Sequence, residues 1–190
     1  TFYNINLAWP TGGAGDADYI TALQTCLLPV CYEFQPDITI VSAGFDAARD
    51  DPLGGCDVTP KGYAHMLWQL MPVTGGKVVV LMEGGYNLKA LAASTDACVE
   101  ALLGKVPPPL DAGPPSAACA AAIREMLRVH AGGWKSLHSA ALSLDKTALS
   151  AGRAFNFAQA CGGLPVPMPE PTPMVQTRRT RVLPKYRSKV

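Results

Sequence analysis

No apolar run in the 190 residues reaches the roughly eighteen needed for a membrane-spanning helix, so a conventional helical span is excluded. The opening residues Thr1 to Asn6 lack the basic-then-apolar layout of a secretory leader. There is no Cys-x-x-Cys pair, and none of the six cysteines (Cys26, Cys31, Cys56, Cys98, Cys119, Cys161) has a neighbouring histidine, which excludes a zinc knuckle and a dithiol redox motif. With no secretion signal they read as reduced thiols, and the chain as a cytoplasmic or nuclear protein. An initiating methionine is also missing: the chain enters at Thr1 straight into the alternating segment Phe2 to Leu7, which predicts a strand and reads as the start of a fragment. No internal repeat is present.

What is there suffices for a core of ordinary domain size, since 48% of the residues are apolar and the formal net charge is only +1. A Pro/Gly-rich loop from Trp9 to Gly15 leads to apolar residues Ile20, Leu23, Leu27, Val30 and Cys31 at helical spacing, with Pro29 predicted to kink or end the helix. Ile38 to Phe45 is a short β-branched apolar run that predicts a buried parallel strand, ending in Asp46. Thr59-Pro60 offers an N-cap and a first-turn proline, and Tyr63, Met66, Leu67 and Leu70 supply the buried face of the helix that follows. After the Thr74-Gly75-Gly76 break, Lys77 to Met82 predicts a second buried strand, which runs into Glu83-Gly84-Gly85-Tyr86-Asn87 and a helix over 88–103. Strand, loop, helix, strand, loop, helix is α/β order with a parallel sheet. Prolines at 107–109 and 114–115 mark a linker, followed by helices predicted over 116–130 and 134–150. From Gly162 the chain is proline-dense and then basic, a composition that predicts a disordered tail.

In parallel α/β sheets, ligands gather outside the carboxyl ends of the strands, where loops and helix N-termini converge. Asp46 and Tyr86 both stand at such ends. A carboxylate directly after a buried strand is costly unless compensated, and a divalent metal is the strongest compensation; bracing its own loop is the plain alternative. Paired glycines before Tyr86 let the backbone approach a ligand closely and aim the phenol, against the alternative of a loop tyrosine packed on the sheet edge.

Taken in order, Ser42-Ala43-Gly44-Phe45-Asp46-Ala47-Ala48-Arg49, then Asp51-Pro52-Leu53-Gly54-Gly55, then Glu83-Gly84-Gly85-Tyr86-Asn87-Leu88 resembles the class II histone deacetylase family. The resemblance extends upstream through Tyr3 to Leu7 and Gly15-Asp16-Ala17-Asp18-Tyr19, and downstream to about residue 110. The run from Ala118 to Leu137 looks like the segment after the catalytic domain in class IIb members, which act on tubulin and other cytosolic proteins. The resemblance implies an arginase-like three-layer α/β fold with a parallel sheet, of which this chain holds the later part. Residues 1–110 would be the C-terminal half of the catalytic domain, 111–150 a helical extension and 151–190 the tail.

It also implies roles. Asp46 matches the second aspartate of an Asp, His, Asp zinc site, and Tyr86 the tyrosine that hydrogen-bonds the oxyanion during hydrolysis of acetyl-lysine. Class IIa vertebrate members carry histidine in place of that tyrosine and act weakly on acetyl-lysine. Gly84 and Gly85 would line the substrate channel. Leu53 stands at its mouth, where the polyamine-deacetylating branch has glutamate, so acetylated proteins are the implied substrates, with co-repressor or cytoskeletal partners and no direct nucleic acid or membrane. Tyr3 falls near a structural monovalent-cation site of the family.

One position departs from the family: Asp50 stands where glycine is usual. The family's Asp-x-His ligand pair and catalytic histidines would belong upstream of Thr1, so the zinc site is expected to be incomplete in this chain and the isolated polypeptide inactive. His65, His130 and His138 read as structural or surface residues. The sheet edge left by the missing strands predicts a tendency to aggregate. A truncated, non-catalytic interaction or regulatory isoform is the alternative, and a nuclear-import or nucleic-acid role for the basic tail a weaker one.

Overall fold

A computed structural model describes residues 2–138 of the chain. The predicted 151–190 tail, the greater part of the predicted 134–150 helix and Cys161 lie outside the described residues.

The first helical stretch starts where the Asp18 carboxylate accepts the Gly15 N–H at 2.9 Å, and it runs as α1 (Asp16–Ala22), a π-helical turn (Leu23–Leu27) and α2 (Leu28–Phe34). Pro29 falls in the first turn of α2, just after the π turn that separates the two α-helical parts. Proline has no N–H to donate, and the turn before it widens instead, with the Leu28 N–H bonded five residues back to the Leu23 carbonyl. Gln35, at φ +54°, closes the stretch in the left-handed conformation.

The next elements follow the predicted order: β1 (Thr39–Ala43), α3 (Pro60–Leu70), a 3-10 turn (Met71–Thr74), β2 (Val78–Met82), α4 (Leu88–Leu102) and α5 (Ala117–His130). Each long helix has the cap its sequence offers: Thr59, Asn87 and Ser116 accept first-turn N–H groups of α3, α4 and α5 through their side-chain oxygens. The strands are parallel, in a register running from Thr39 opposite Val78 to Ala43 opposite Met82. Phe2 to Leu7 forms no strand. Among the described residues it has no strand to pair with, and Ile5, Leu7 and Trp9 pack instead on a helical core.

Two apolar clusters hold the chain. In the first, Ala22, Cys26 and Val30 from the π turn and its flanking helices meet Ile123, Met126 and Leu127 of α5, with Trp134 and Leu137 beyond it. In the second, Phe45, Ala48 and Val58 of the loop after β1 meet Tyr63 and Leu67 of α3 and Cys98 of α4, and Ala43, Val78 and Val80 lean on them from the sheet. The five described cysteines are free thiols; burial pushes Cys26 up to about 12 and Cys98 to about 11.

The apolar runs of β1 and β2 predict burial on both faces, but among the described residues only one face is covered. Ile40 is 62% exposed, and Val79 and Leu81 across the sheet are also exposed. Helices α3 and α4 occupy one side of the sheet and no described element the other, so a sequence suited to a two-sided layer shows one bare side. None of the described helices is long and apolar enough to cross a membrane.

Candidate active site

The site is built where β1 and β2 end. The parallel ladder continues past the strands: the Glu83 N–H donates to the Ala43 carbonyl at 3.0 Å and the Phe45 N–H to the Gly84 carbonyl at 2.8 Å. This holds the Asp46 turn beside the Gly84-Gly85-Tyr86 turn. A Cβ placed on Gly84 would stand 3.0 Å from Asp46 Oδ2 and 3.5 Å from the Tyr86 hydroxyl. The carboxylate and the phenol thus converge on space that only a glycine leaves open. Gly85 differs, since its Cβ would meet Phe45 and Leu91 in the core and its φ of +139° disfavours any side chain.

Asp46 is half-buried, and among the described residues no donor bonds its carboxylate. A half-exposed carboxylate with no protein donor is open to water or to a cation. Zinc normally takes three protein ligands, and no group of three or more His, Cys, Asp or Glu side chains among the described residues is arranged to hold a metal. The described residues therefore fit one corner of a metal site and not a whole one. Near Asp46 stand two phenols, the buried Tyr63 and the partly buried Tyr19. The Tyr63 hydroxyl donates to the Gly44 carbonyl at 3.4 Å, and that of Tyr19 to Cys56 Sγ at 3.7 Å. Burial holds both far above the ordinary tyrosine value, with the Cys56 thiol adding to the effect on Tyr19 and the Tyr19 phenol to that on Tyr63. Both remain neutral donors.

The loop after Asp46 folds back on itself. The Arg49 guanidinium pairs with the Asp57 carboxylate, the Arg49 backbone N–H donates to the Val58 carbonyl at 2.9 Å, and the Val58 N–H donates to the Ala47 carbonyl at 3.1 Å. A Cβ on Gly54 would overlap the Asp46 carbonyl oxygen, so this loop packs directly on the backbone of the candidate ligand. Asp50 adopts φ +66°, which explains why glycine suits this position, and its carboxylate is exposed.

Asp51 is the residue that motif reading leaves without a role. It is 9% exposed, and its carboxylate accepts four backbone N–H bonds: Oδ1 from Leu53 (2.9 Å) and Gly54 (3.1 Å), Oδ2 from Tyr86 (2.7 Å) and Asn87 (3.3 Å). Desolvation pulls its pKa upward, but the four donors outweigh that and hold it below the usual carboxylate value. Asn87 adds a bond from Nδ2 to the Asp50 carbonyl at 2.9 Å while its Oδ1 caps α4.

With this geometry in hand, comparison with known proteins is direct. The histone deacetylase domain profile matches residues 1–102, more than half of the chain. The chain belongs to the histone deacetylase family. Histone deacetylase 15 of Arabidopsis thaliana is 47% identical over 138 residues, 71% of this chain and 25% of that protein. Polyamine deacetylase HDAC10 of Homo sapiens is 41% identical over 138 residues, 71% of this chain and 20% of that protein. These relatives make the chain a class II-like member. The crystal structure of the histone deacetylase 15 domain superposes with a TM-score of 0.70 at 43% identity, covering 77% of this chain and 39% of that one. The histone deacetylase Clr3 gives 0.68 at 41% identity, covering 70% and 22%. The fold is thus the arginase-like deacetylase fold, and this member spans a quarter or less of the length of the curated relatives named here.

The other sequence-predicted residues are placed as follows. Leu53 is 70% exposed beside the Asp51 clamp. Tyr3 is exposed and set edge-on to Trp134, with ring centroids 6.0 Å apart, on the helical cluster. His65 bonds the Pro108 carbonyl at 2.8 Å from α3, His130 lies edge-on to Phe2, and His138 is exposed. The Gly15-to-Tyr19 motif proves architectural among the described residues: Asp16 accepts the Thr59 N–H (2.8 Å) and hydroxyl (2.6 Å), and Asp18 accepts the Ser116 N–H (2.8 Å).

Proposed function

We propose that this chain is the C-terminal part of a protein lysine deacetylase catalytic unit acting on N6-acetyl-lysine in proteins, histones or non-histone substrates such as tubulin, in the cytoplasm or nucleus. The observation that carries the proposal is the convergence of the Asp46 carboxylate and the Tyr86 hydroxyl on the gap at Gly84. In this reading Asp46 is one carboxylate of a zinc site completed by residues outside the described ones, and residues 1–110 belong to the catalytic domain with 111–150 as its helical extension. Tyr86, half exposed at the gap, donates its hydroxyl proton to the oxygen that gains charge as the amide is attacked, a contact stronger in the transition state than in the ground state. The acetyl-lysine stem would pass the bare backbone of Gly84. The apolar Leu53 supports a peptide in preference to a polycation, because it brings no charge to the mouth of the site.

The test is a chimera in which residues 2–138 replace the matching part of the histone deacetylase 15 domain. The folded, zinc-loaded chimera is expected to hydrolyse an acetyl-lysine peptide, Asp46→Asn to lower its zinc content, and Tyr86→Phe to keep zinc while losing about 10²–10³ in kcat. An inactive zinc-loaded chimera, or a Tyr86→Phe variant of unchanged kcat, overturns the proposal. The 190-residue chain alone is expected to be inactive, and chelator-sensitive hydrolysis by it would refute the shared-site reading.

A further inference from the structure

Asp51 lies in neither strand-end turn, yet its one carboxylate is bonded to both loops that line the gap. Two of its four donors belong to the Leu53-Gly54 loop and two to the Tyr86-Asn87 loop, 35 and 36 residues further along the chain. An ionised carboxylate is the only short side chain that can serve both pairs, because both of its oxygens are acceptors. An asparagine has one acceptor oxygen, and its amide nitrogen would confront two N–H donors. The loops have other restraints nearby: Asn87 Nδ2 on the Asp50 carbonyl, and the strand-end bonds of Phe45 and Glu83. Among the described residues, however, only the Asp51 carboxylate joins the backbone of Tyr86 to that of Leu53.

We infer that Asp51 is a positioning residue, whose carboxylate sets the Tyr86 turn against the Leu53 loop and so fixes where the phenol stands relative to the channel mouth. The functional half of this inference rests on the deacetylase reading above; the structural half does not. It acts through the backbone and touches neither substrate nor the reacting atoms. Misplacement of a reacting or stabilising group by about 1 Å costs up to 10²-fold in rate, so a clamp of this kind matters to turnover even when the fold survives without it.

The structural half is tested in the full chain by amide hydrogen exchange, which needs no activity. In Asp51→Asn the amides of one pair, either Leu53 and Gly54 or Tyr86 and Asn87, are expected to lose at least about tenfold in protection, while the Phe45 and Glu83 amides keep theirs. In Asp51→Ala all four are expected to lose it. Unchanged protection at all four amides in either variant overturns the clamp. Loss of protection throughout the molecule in Asp51→Asn shows a general folding brace and overturns positioning. In the chimera, Asp51→Asn is expected to lower kcat per bound zinc about tenfold with KM changed less than twofold. An unchanged kcat per zinc in an active chimera overturns the positioning role alone, whereas an inactive parent chimera refutes the deacetylase reading and leaves the exchange result standing.

Discussion

The cluster around Ile123 and the cluster around Phe45 use similar apolar residues, but they close differently. The first has a fully buried centre: Ile123 and Leu137 are completely covered and Leu127 nearly so. Its ends are tied by the Trp134 Nε1–H to the Phe2 carbonyl at 2.9 Å, and by Glu33, which accepts the N–H groups of Lys135 and Ser136 at 3.1 and 2.8 Å. The second buries Phe45, Ala48 and Val58 as completely, but it serves as the floor of a two-stranded sheet whose other face is bare. The helical cluster supplies a self-contained core, while the sheet cluster positions Asp46 and Tyr86 at the rim of a layer finished on one side only. The more deeply buried core and the candidate site thus lie in different regions.

Truncation breaks this comparison most sharply. Ile123→Ala should destabilise the chain by about 2–5 kcal/mol, as expected for a large-to-small change at a fully buried site. Ile40→Ala, on the bare face, should stay within about 0.5 kcal/mol. Urea unfolding of both variants checks this, and equal losses would mean that the sheet face is covered after all.

Acid probes the rim. Because the folded state lowers the Asp51 pKa, its stabilising contribution is present above the unfolded value of about 3.9 and is lost as pH falls through the lower folded value. The stability difference between the parent chain and Asp51→Asn should therefore be constant above about pH 5 and shrink as the pH falls further. A difference that grows on acidification would reverse the sign of the shift and remove the argument for a charged clamp.

The strand-end rule and the family motif pointed in sequence to Asp46 and Tyr86, and the structure sets their side chains on the same gap at Gly84. The cap at Thr59 was legible too, since it acts within three residues of itself. Asp51 was not: two of its four partners are backbone N–H groups 35 and 36 residues away, and a backbone donor has no side-chain identity to read. The bare sheet face was hidden for a related reason. A β-branched run records the burial to which a strand is suited and says nothing of whether the covering layer lies among the same residues. The π turn before Pro29 was missed because a missing N–H allows a kink, a stop or a widened turn, and packing of Cys26 and Val30 against α5 selects among them.

The smallest expected effect concerns Asp50, which holds a left-handed backbone conformation at φ +66°. At φ +66° a Cβ is disfavoured, but aspartate tolerates the left-handed region better than most residues, so relief of strain by Asp50→Gly should be worth at most about 1 kcal/mol. Glycine also gains freedom in the unfolded chain, which opposes the relief by about 0.5–1 kcal/mol. The bond from Asn87 Nδ2 reaches the Asp50 backbone carbonyl and survives the change. The net should be a stabilisation of a few tenths of a kcal/mol, within the range of surface substitutions. Asp50→Ala keeps the Cβ, and alanine tolerates the left-handed region less well than aspartate, so it should instead destabilise by about 1 kcal/mol. Thermal unfolding of the two variants separates the causes: opposite signs assign the effect to backbone conformation, whereas equal shifts assign it to the lost carboxylate charge.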